Sequence, residues 1–382
     1  MDNSRDIPFS RPHITQSTLG EINKVLCSGW ITTGPKSREF EQKFCETLGV
    51  KYSVAVSSCT AALHLAYVIS DFGPGDEIIV PSFTFCSTIN MLVHLGAKPV
   101  FCDISEDTLC LDPSDVESRI TSKTKAIVVV HFAGKPAPMD EITKIARKHK
   151  LLVIEDAAHA FLTKYKGKYI GNGNNLCCFS FYATKNLTTA EGGMVTGGKG
   201  PIIDKIRSLS MHGISKHAWN RYGKGGSWKY NVLLPGYKYN LTDIQSVIGL
   251  EQLKVAFESR RKRLLLVNRY LEGLKTNKNL VLPSEPKETG SEHSWHLFTI
   301  RLKNTARIKR DDLIERLKEH GIGTSVHFIP NHLQSFYRKT YSNGLKLPVT
   351  EEVYKNIISL PLYEDLSVDD VDYIVSQINN LV

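Results

Sequence analysis

Two stretches of this sequence decide its fold: Ile154-Glu155-Asp156-Ala157-Ala158-His159 and Phe179-Ser180-Phe181-Tyr182-Ala183-Thr184-Lys185-Asn186. The apolar run over residues 151–154 is typical of a fully buried parallel strand, so Asp156 is predicted just past the carboxyl end of that strand. Residues 176–181 predict a second buried strand, which places Ser180 and Lys185 at a comparable level. Alone, Asp156 would be interpreted as a helix cap and Lys185 as a solvated surface lysine. Their joint position favours a functional site, because open α/β sheets bind ligands at this edge.

A carboxylate and a lysine at one sheet edge are the pair that pyridoxal phosphate (PLP) requires. The pyridine ring of PLP accepts electrons only while its nitrogen is protonated, which a buried carboxylate beneath it maintains, and a lysine holds PLP as a Schiff base. We therefore predict Asp156 and Lys185 as catalytic residues.

Strand-like apolar runs alternate with helical patterns through the first two thirds of the chain. We predict strands over residues 53–56, 77–80, 99–103, 126–130 and 151–154, and helices over residues 60–72, 87–95 and 140–149. Residues 73–76 and 96–99, rich in glycine and proline, supply turns between them. This alternation predicts an α/β fold with a mostly parallel sheet between helices.

The pattern changes in the last third of the chain. A long amphipathic helix is predicted from Thr242 to about Lys275, with Thr242 or Asp243 as its cap. A strand over residues 296–302 and helices over 310–320 and 367–381 then indicate a smaller C-terminal α/β domain. We divide the chain into a large domain, residues 1–245, and a linker helix with a small domain, residues 246–382. Residues 222–227 are predicted to form a flexible glycine-rich loop.

The composition is that of an ordinary globular protein, with 382 residues, 41% hydrophobic residues and a formal net charge of +9. Because residues 1–11 are polar, we expect no secretory signal and no membrane span, and hence a cytoplasmic protein. The 8 cysteines form no Cys-x-x-Cys pair and no regular spacing to histidines, which argues against a metal site. The densest basic run, Arg260-Arg261-Lys262-Arg263, is predicted to form the solvated face of a helix, so we expect no nucleic-acid partner.

The two opening stretches resemble signatures of the DegT/StrS-type nucleotide-sugar aminotransferases. Further blocks similar to that family follow in family order over residues 28–35, 57–63, 81–85, 236–244, 321–327 and 359–363. The resemblance covers nearly the whole chain. It implies the fold-type-I PLP architecture, with a large domain built on a mostly parallel, seven-stranded type of sheet, and a homodimer with shared active sites.

The resemblance assigns phosphate binding to the segment Ser57-Ser58-Cys59-Thr60. This segment follows a predicted strand and opens a helix, so its amides and the Thr60 hydroxyl would face a phosphate at the helix N-terminus. An ordinary N-cap is the alternative interpretation. Many relatives carry glycine at the position of Cys59, which leaves the loop conformation open.

Other cofactor contacts are also implied by the resemblance. Phe85 would stack on the pyridine face, His159 would lie near the phenolic oxygen, and Ser180 would be a second phosphate ligand. Asn240 would contact the phosphate bound by the partner subunit, so a monomer would have an incomplete site. Without the resemblance, Phe85 would be interpreted as core packing and His159 as a buried structural histidine.

Four residues are predicted to face the substrate: Thr33, Gly34, Lys229 at the end of the 225–229 region, and His327. For His327, which ends a strand-like segment, a purely structural role is the alternative.

The function that the resemblance implies is transamination, because relatives that carry histidine in place of Lys185 are dehydratases. L-Glutamate would displace Lys185 and convert PLP to pyridoxamine 5′-phosphate, while the freed lysine moves the proton as general base and acid. The nitrogen would then pass to a keto carbon, C4 in preference to C3, of a nucleotide-linked keto-deoxy sugar. The alternatives are a 3-keto sugar aminotransferase, a PLP-dependent dehydratase or cyclitol aminotransferase, and a regulatory or nucleic-acid-binding protein on the same fold.

Overall fold

A seven-stranded sheet forms the centre of the larger part of the molecule. The computed structural model describes residues 5–215 and 229–382. The strands of this sheet are β1 (Tyr52–Val56), β2 (Glu77–Pro81), β3 (Lys98–Cys102), β4 (Thr124–Val130), β5 (Leu152–Asp156), β8 (Leu176–Ser180) and β9 (Gly193–Gly197). A small hairpin, β6 (Lys164–Tyr165) and β7 (Lys168–Tyr169), lies outside it. The order is β1-β9-β8-β5-β4-β2-β3, and only β9 runs against its neighbours, which confirms the predicted mostly parallel sheet.

Helices cover both faces of this sheet. They are α2 (Pro35–Leu48), α3 (Cys59–Ile69), α4 (Ser87–His94), α5 (Pro113–Ser118), α6 (Met139–His149) and α7 (Gly200–Leu209). The preceding helix α1 (Gln16–Ser28) packs on a later helix of the chain instead. Side chains alternate along the strands, as the two-residue period requires. Val80 and Val128 pack with α3, α4 and α7 on one face, and Ile79 and Val129 pack with α5 and α6 on the other. The sheet is therefore buried on both sides, which explains its continuous apolar strands.

The long helix α8 (Asp243–Leu274) leads from the large sheet to the last third of the chain. The Thr242 side chain accepts from the backbone N–H of Gln245, whose side chain caps in return, so the predicted start of the helix is confirmed. Its first half packs on α1 and α2, and its second half packs on the last helix of the chain.

A three-stranded antiparallel sheet follows α8. Its strands are β10 (Leu280–Val281), β11 (Phe298–Leu302) and β12 (Ile357–Leu360), and its helices are α9 (Arg310–Glu319), α10 (Ser335–Thr340), α11 (Pro348–Asn356) and α12 (Val368–Leu381). Tyr270, Phe298 and Ile374 belong to the core that this sheet shares with α8. The smaller α/β unit that the sequence predicts is therefore present.

The C-terminal third also reaches back to the large sheet. The side-chain amide of Asn331 donates to the carbonyl oxygens of Ser82 and Thr84, and Tyr337 packs edge-on against Phe101. The division between residues 245 and 246, which falls within the first turn of α8, stays a prediction. Among the described residues, no helix is long and apolar enough to cross a membrane.

The predicted solvated face at residues 260–263 is wrong for Arg263. This side chain is buried, and its Nη1 donates to the carbonyl oxygens of Trp295 at 3.3 Å and Leu362 at 2.9 Å. Arg260 forms an ion pair with Glu292. Two of the four basic residues, Arg260 and Arg263, thus make tertiary contacts within the chain. A buried arginine needs hydrogen-bond acceptors, and only tertiary structure supplies those of Arg263.

Candidate active site

The parallel strands end at one edge of the large sheet, and a cleft of about 470 Å³ lies there. Its walls come from the last residues of β4, β5 and β8 and from the segments that follow β1, β2, β5 and β8. The turn before β9 and residues 327–328 complete them. The residues that line it are Ser58, Cys59, Thr60, Thr84, Phe85, Ser87, Val130, Asp156, Ala158, His159, Ser180, Tyr182, Thr184, Lys185, Glu191, Gly192, His327 and Phe328. The predicted edge therefore carries an open, chemically mixed cavity.

The turn between β1 and α3 presents a helix N-terminus to this cleft. The Ser58 hydroxyl accepts from the N–H of Ala61 at 3.0 Å, so Ser58 is the N-cap. Within the described residues, the amides of Cys59 and Thr60 have no hydrogen-bond acceptor and remain available for an anion. A Cβ at Gly193 would lie 2.5 Å from the carbonyl carbon of Ser58, so glycine there lets β9 approach this turn.

Asp156 is the last residue of β5 rather than lying just past it, and it is buried at the floor of the cleft. Its Oδ2 accepts from the Thr88 hydroxyl at 2.7 Å, and its Oδ1 accepts from the N–H of Ala158 at 3.1 Å. Burial raises the pKa of Asp156, while these two hydrogen bonds and the charge of Lys185 oppose that rise. A cationic ring nitrogen placed against this carboxylate would favour its ionised form.

Lys185 lies in the segment after β8 and lines the same cleft. Its Nζ is 3.4 Å from Nε2 of His296. Burial lowers the pKa of Lys185 to about 8, and the charge of Asp156 opposes this effect. An amine with such a pKa can be both nucleophile and proton carrier near neutral pH.

Phe85 and His159 flank the cleft. Phe85 is 58% exposed, so the core-packing alternative is wrong. Its side chain lines the cleft and is available to a ligand there. His159 is buried, and its Nδ1 accepts from the N–H of Ala133 at 3.2 Å, which leaves the proton on Nε2. Burial and the charge of Lys185 hold the pKa of His159 well below its usual value, so the ring is neutral. Ser180 lines the cleft next to Tyr182.

His327 reaches the cleft from the smaller unit of the chain. Its Nδ1 lies 2.8 Å from the Ser359 hydroxyl, and burial together with the charge of Lys185 lowers the pKa of His327 to about 4. A neutral imidazole with one nitrogen held by Ser359 can present its other nitrogen to a ligand.

Four predicted site residues lie outside the cleft of this chain. Asn240 donates to the Thr33 hydroxyl at 2.6 Å, and the N–H of Gly34 donates to Asp243 at 2.8 Å, so these residues form a separate polar cluster. Lys229 is exposed and is not a lining residue. The rest of the 225–229 region and the predicted loop over residues 222–227 lie outside the described residues.

Sequence reasoning missed several residues of the site. Thr88 holds Asp156, His296 contacts Lys185, Phe328 packs 5.8 Å from the ring of His159, and Glu191 lines the cleft. Glu191 directly precedes the Gly192-Gly193 pair, and this pair indicates a turn of the chain near the site. The other three come from distant parts of the chain, and no spacing in the sequence relates them to Lys185.

The lining residues suit PLP. A free helix N-terminus fits a phosphate, a buried carboxylate fits a protonated ring nitrogen, an exposed aromatic ring fits a planar heterocycle, and a lysine of lowered pKa fits the aldehyde carbon. Each demand of the cofactor has a side chain or amide of suitable chemistry in one cavity.

Comparison with known proteins agrees with this chemistry. A model of the DegT/DnrJ/EryC1/StrS aminotransferase family matches residues 12–379. The spore coat polysaccharide biosynthesis protein SpsC of Bacillus subtilis is 44% identical over 98% of this chain and 97% of its own. A putative sugar aminotransferase, Spr1654 of Streptococcus pneumoniae, has been solved in a PMP-form and a PLP-form; its PMP-form has a TM-score of 0.92 and 33% identity over 99% of this chain and 98% of its own. PseC of Helicobacter pylori, an aminotransferase involved in the biosynthesis of pseudoaminic acid, has a TM-score of 0.91 and 30% identity over 99% of both chains.

Proposed function

Because this chain belongs to the PLP-dependent DegT/DnrJ/EryC1/StrS aminotransferase family, we propose that this sugar aminotransferase moves the amino group of L-glutamate to C4 of a nucleotide-linked keto-deoxy sugar. The observation that carries the proposal is the meeting of Lys185 and Asp156 in one cleft. The C4 position is supported by the blocks over residues 236–243 and 327–330, which resemble those of enzymes that aminate C4. The names of SpsC and PseC connect those two relatives with sugar products, which supports a sugar acceptor.

Different residues of the cleft have different roles in binding the cofactor. When bound, PLP supplies an electron sink for the carbon that loses its proton. The amides of Cys59 and Thr60 and the hydroxyls of Thr60 and Ser180 hold the phosphate, and Asp156 keeps the ring nitrogen protonated. Phe85 would cover one face of the ring, and the neutral His159 would donate from Nε2 to the phenolic oxygen of the cofactor.

Lys185 has two tasks in this account. Its Nζ would attach the cofactor. After displacement by the donor, the same amine would take a proton from Cα of the donor as general base and deliver it to C4′ of the cofactor as general acid. A pKa of about 8 suits both directions, since neither protonation state is strongly disfavoured near neutral pH. His327 and the exposed cleft mouth around Tyr182 are the candidate contacts for donor and sugar.

We also propose a homodimer in which each subunit completes the site of the other. Asn240, Thr33 and Gly34 lie outside the cleft of their own chain, as expected for residues that serve a partner. Large apolar side chains are exposed on α1, just after it, and over residues 230–233: Leu19, Leu26, Ile31, Tyr230, Val232 and Leu233. Such surfaces are typical of interfaces.

Two other PLP reactions remain as alternatives to C4 transamination. Amination at C3 uses the same cofactor site, and a cyclitol could replace the sugar. Lys185 disfavours dehydration. A regulatory role on the same fold is disfavoured by the complete set of cofactor-binding groups. The cytoplasmic location and the absence of a nucleic-acid partner stay predictions from the sequence.

The proposal is tested with purified enzyme, PLP, isotopically labelled L-glutamate and a nucleotide-linked 4-keto-6-deoxyhexose. We expect labelled nitrogen in the sugar by mass spectrometry and at C4 by NMR, with no transfer by Lys185→Ala. Turnover with only the 3-keto isomer would overturn the C4 assignment, and wild-type turnover by Lys185→Ala would overturn the role of the lysine.

A further inference from the structure

The amine of Lys185 has a specific neighbour, His296, that belongs to none of the cofactor-binding motifs. His296 lies just before β11, 111 positions along the chain from Lys185, and its Nε2 is 3.4 Å from Lys185 Nζ. Within residues 5–215 and 229–382, the Lys185 amine makes no other side-chain hydrogen bond. The contact therefore concerns the reacting atom of the site.

The orientation of the His296 ring is set by Asn186, the residue next to Lys185. The Asn186 amide donates from Nδ2 to the carbonyl oxygen of Ser294 at 2.9 Å, which directs its Oδ1 to His296 Nδ1 at 3.2 Å. Because that oxygen can only accept, Nδ1 of His296 must carry the proton. Nε2 is then an unprotonated acceptor, and it points at the lysine.

The segment that carries His296 is anchored against the residues after β4. The N–H of Ser294 donates to the carbonyl of Gly134 at 3.0 Å, and the N–H of His296 donates to the carbonyl of Ala133 at 2.9 Å. The His296 ring also lies 4.4 Å, centroid to centroid, from the ring of His159. A ring held by backbone, Asn186 and His159 has little freedom to turn away.

Burial, together with nearby charge, keeps His296 neutral. The ionisable groups that act on it are Lys185, His159, Arg263 and His327. Burial is the largest cause that holds the pKa of His296 well below its usual value, and the charge of Lys185 is the next largest. The ring therefore acts as a hydrogen-bond acceptor for Lys185 and not as its proton acceptor.

We propose that His296 is a positioning residue that holds the amine of Lys185 in the cleft, through a hydrogen bond from Nζ to Nε2, whenever that amine is not covalently engaged. The proposal rests on the proposed role of Lys185 as the cofactor-binding lysine. A lysine chain has four rotatable bonds, so a fixed acceptor limits the positions that the freed amine can take. The acceptor of His296 thus keeps the freed amine of Lys185 inside the cleft, where we propose that the amine transfers the proton.

The proposal can be tested on cofactor-free protein, without any sugar or donor. A short pulse of acetic anhydride is applied over a pH series, and acetylation of Lys185 is quantified by peptide mass spectrometry. Only the unprotonated amine reacts, so the midpoint of the curve reports the pKa of Lys185. We expect a wild-type midpoint near the value of about 8.

His296→Phe keeps the ring volume and removes the acceptor. Because a hydrogen bond to the ammonium form stabilises that form, its loss should lower the midpoint by about one pH unit. His296→Gln, which retains an acceptor oxygen, should recover part of the shift. The control His293→Phe changes a buried histidine that stacks on Trp295, and it should leave the midpoint unchanged.

Asn186→Leu provides a second, independent variant if His296→Phe does not fold. Without the Asn186 oxygen the imidazole can place its proton on Nε2, facing the lysine, and the midpoint should again fall. An unchanged midpoint in every folded variant of His296 and Asn186 would overturn the proposal. This outcome differs from a failure of the proposed function, which would show as absent transfer to keto sugars with the Lys185 titration intact.

Discussion

The hydroxyl of Thr88 donates a 2.7 Å hydrogen bond to Oδ2 of Asp156, and both groups are buried. Thr88 also lies 3.0 Å from the Thr84 hydroxyl, which can donate to it in turn. Helix α4 thus supplies the side-chain donor that opposes the effect of burial on the Asp156 carboxylate. The carboxylate that we propose as the partner of the cofactor's ring nitrogen therefore depends on a residue that no cofactor motif includes.

Thr88→Val should weaken PLP binding. The change keeps the shape of the side chain but removes the donor, so the pKa of Asp156 rises further and its pairing with a protonated ring nitrogen weakens. Since a hydrogen bond to a charged group contributes roughly 1.5–3 kcal/mol, we expect at least about a tenfold higher Kd. Absorbance titration of cofactor-free protein with PLP measures it. Thr196→Val, which removes another buried hydroxyl, is the control, and equal Kd values for both variants would contradict this role.

Gly134→Ala should destabilise the protein more than Gly167→Ala. Both glycines have a left-handed backbone, with φ of +95° and +81°, so alanine costs about 1–2 kcal/mol at either position. At Gly134 a Cβ would also lie 2.3 Å from the Ser294 hydroxyl and 2.9 Å from the carbonyl oxygen of His159, whereas at Gly167 it would meet nothing within 4 Å. Urea unfolding compares the two variants. Equal losses of unfolding free energy in the two variants would contradict a requirement for close approach between Gly134 and the segment before β11.

Two inactive variants should complement each other if subunits share sites. Lys185→Ala removes a residue of the cleft, and Asn240→Ala removes one that we assign to the partner's site. After the two proteins are unfolded, mixed and refolded, about a quarter of the sites should be intact by random pairing of subunits in a dimer. Activity of the mixture well above the sum of the separate variants is the expected result. A mixture no more active than its components would contradict the shared site.

Lys185→Met should stabilise the cofactor-free protein at pH 7, and the gain should shrink at higher pH. The pKa of Lys185 is lowered from 10.5 to about 8 on folding, so below pH 8 the folded wild type carries a poorly solvated ammonium. Between about pH 8 and 10.5 the unfolded chain binds more protons, and wild-type stability rises toward that of the variant. Urea unfolding at pH 7 and pH 10 tests this, with the surface variant Lys199→Met as control. A difference independent of pH would contradict the account.

The sequence predicted the architecture because apolar periodicity is local. The strand at residues 152–156 and helix α8, predicted over 242–275, were each placed within about two residues of their observed bounds. Asp156 and Lys185 were predicted because each lies at or shortly after the carboxyl end of a buried strand. Thr60 was predicted because its segment resembles the phosphate-binding segment of the family.

The site residues and buried groups that the sequence did not predict depend on contacts between distant parts of the chain. His296 meets Lys185 only because the segment before β11 packs on Ala133 and Gly134, and Thr88 meets Asp156 only because α4 packs on the large sheet. Arg263 shows the same limit, since its helical spacing predicted exposure and its carbonyl partners come from residues 295 and 362. Periodicity indicates which face of a helix is polar, but it does not reveal a buried polar partner.

Glutamate-dependent transamination at Lys185 is tested by the absorption spectrum of the PLP-loaded protein before and after addition of L-glutamate, with no sugar present. The account predicts that the visible band of the lysine-bound cofactor disappears and that a band of pyridoxamine 5′-phosphate replaces it, because Lys185 is displaced and the amino group is transferred. Lys185→Ala should show no lysine-bound band at the start. A wild-type spectrum that glutamate leaves unchanged would contradict glutamate-dependent transamination at this site.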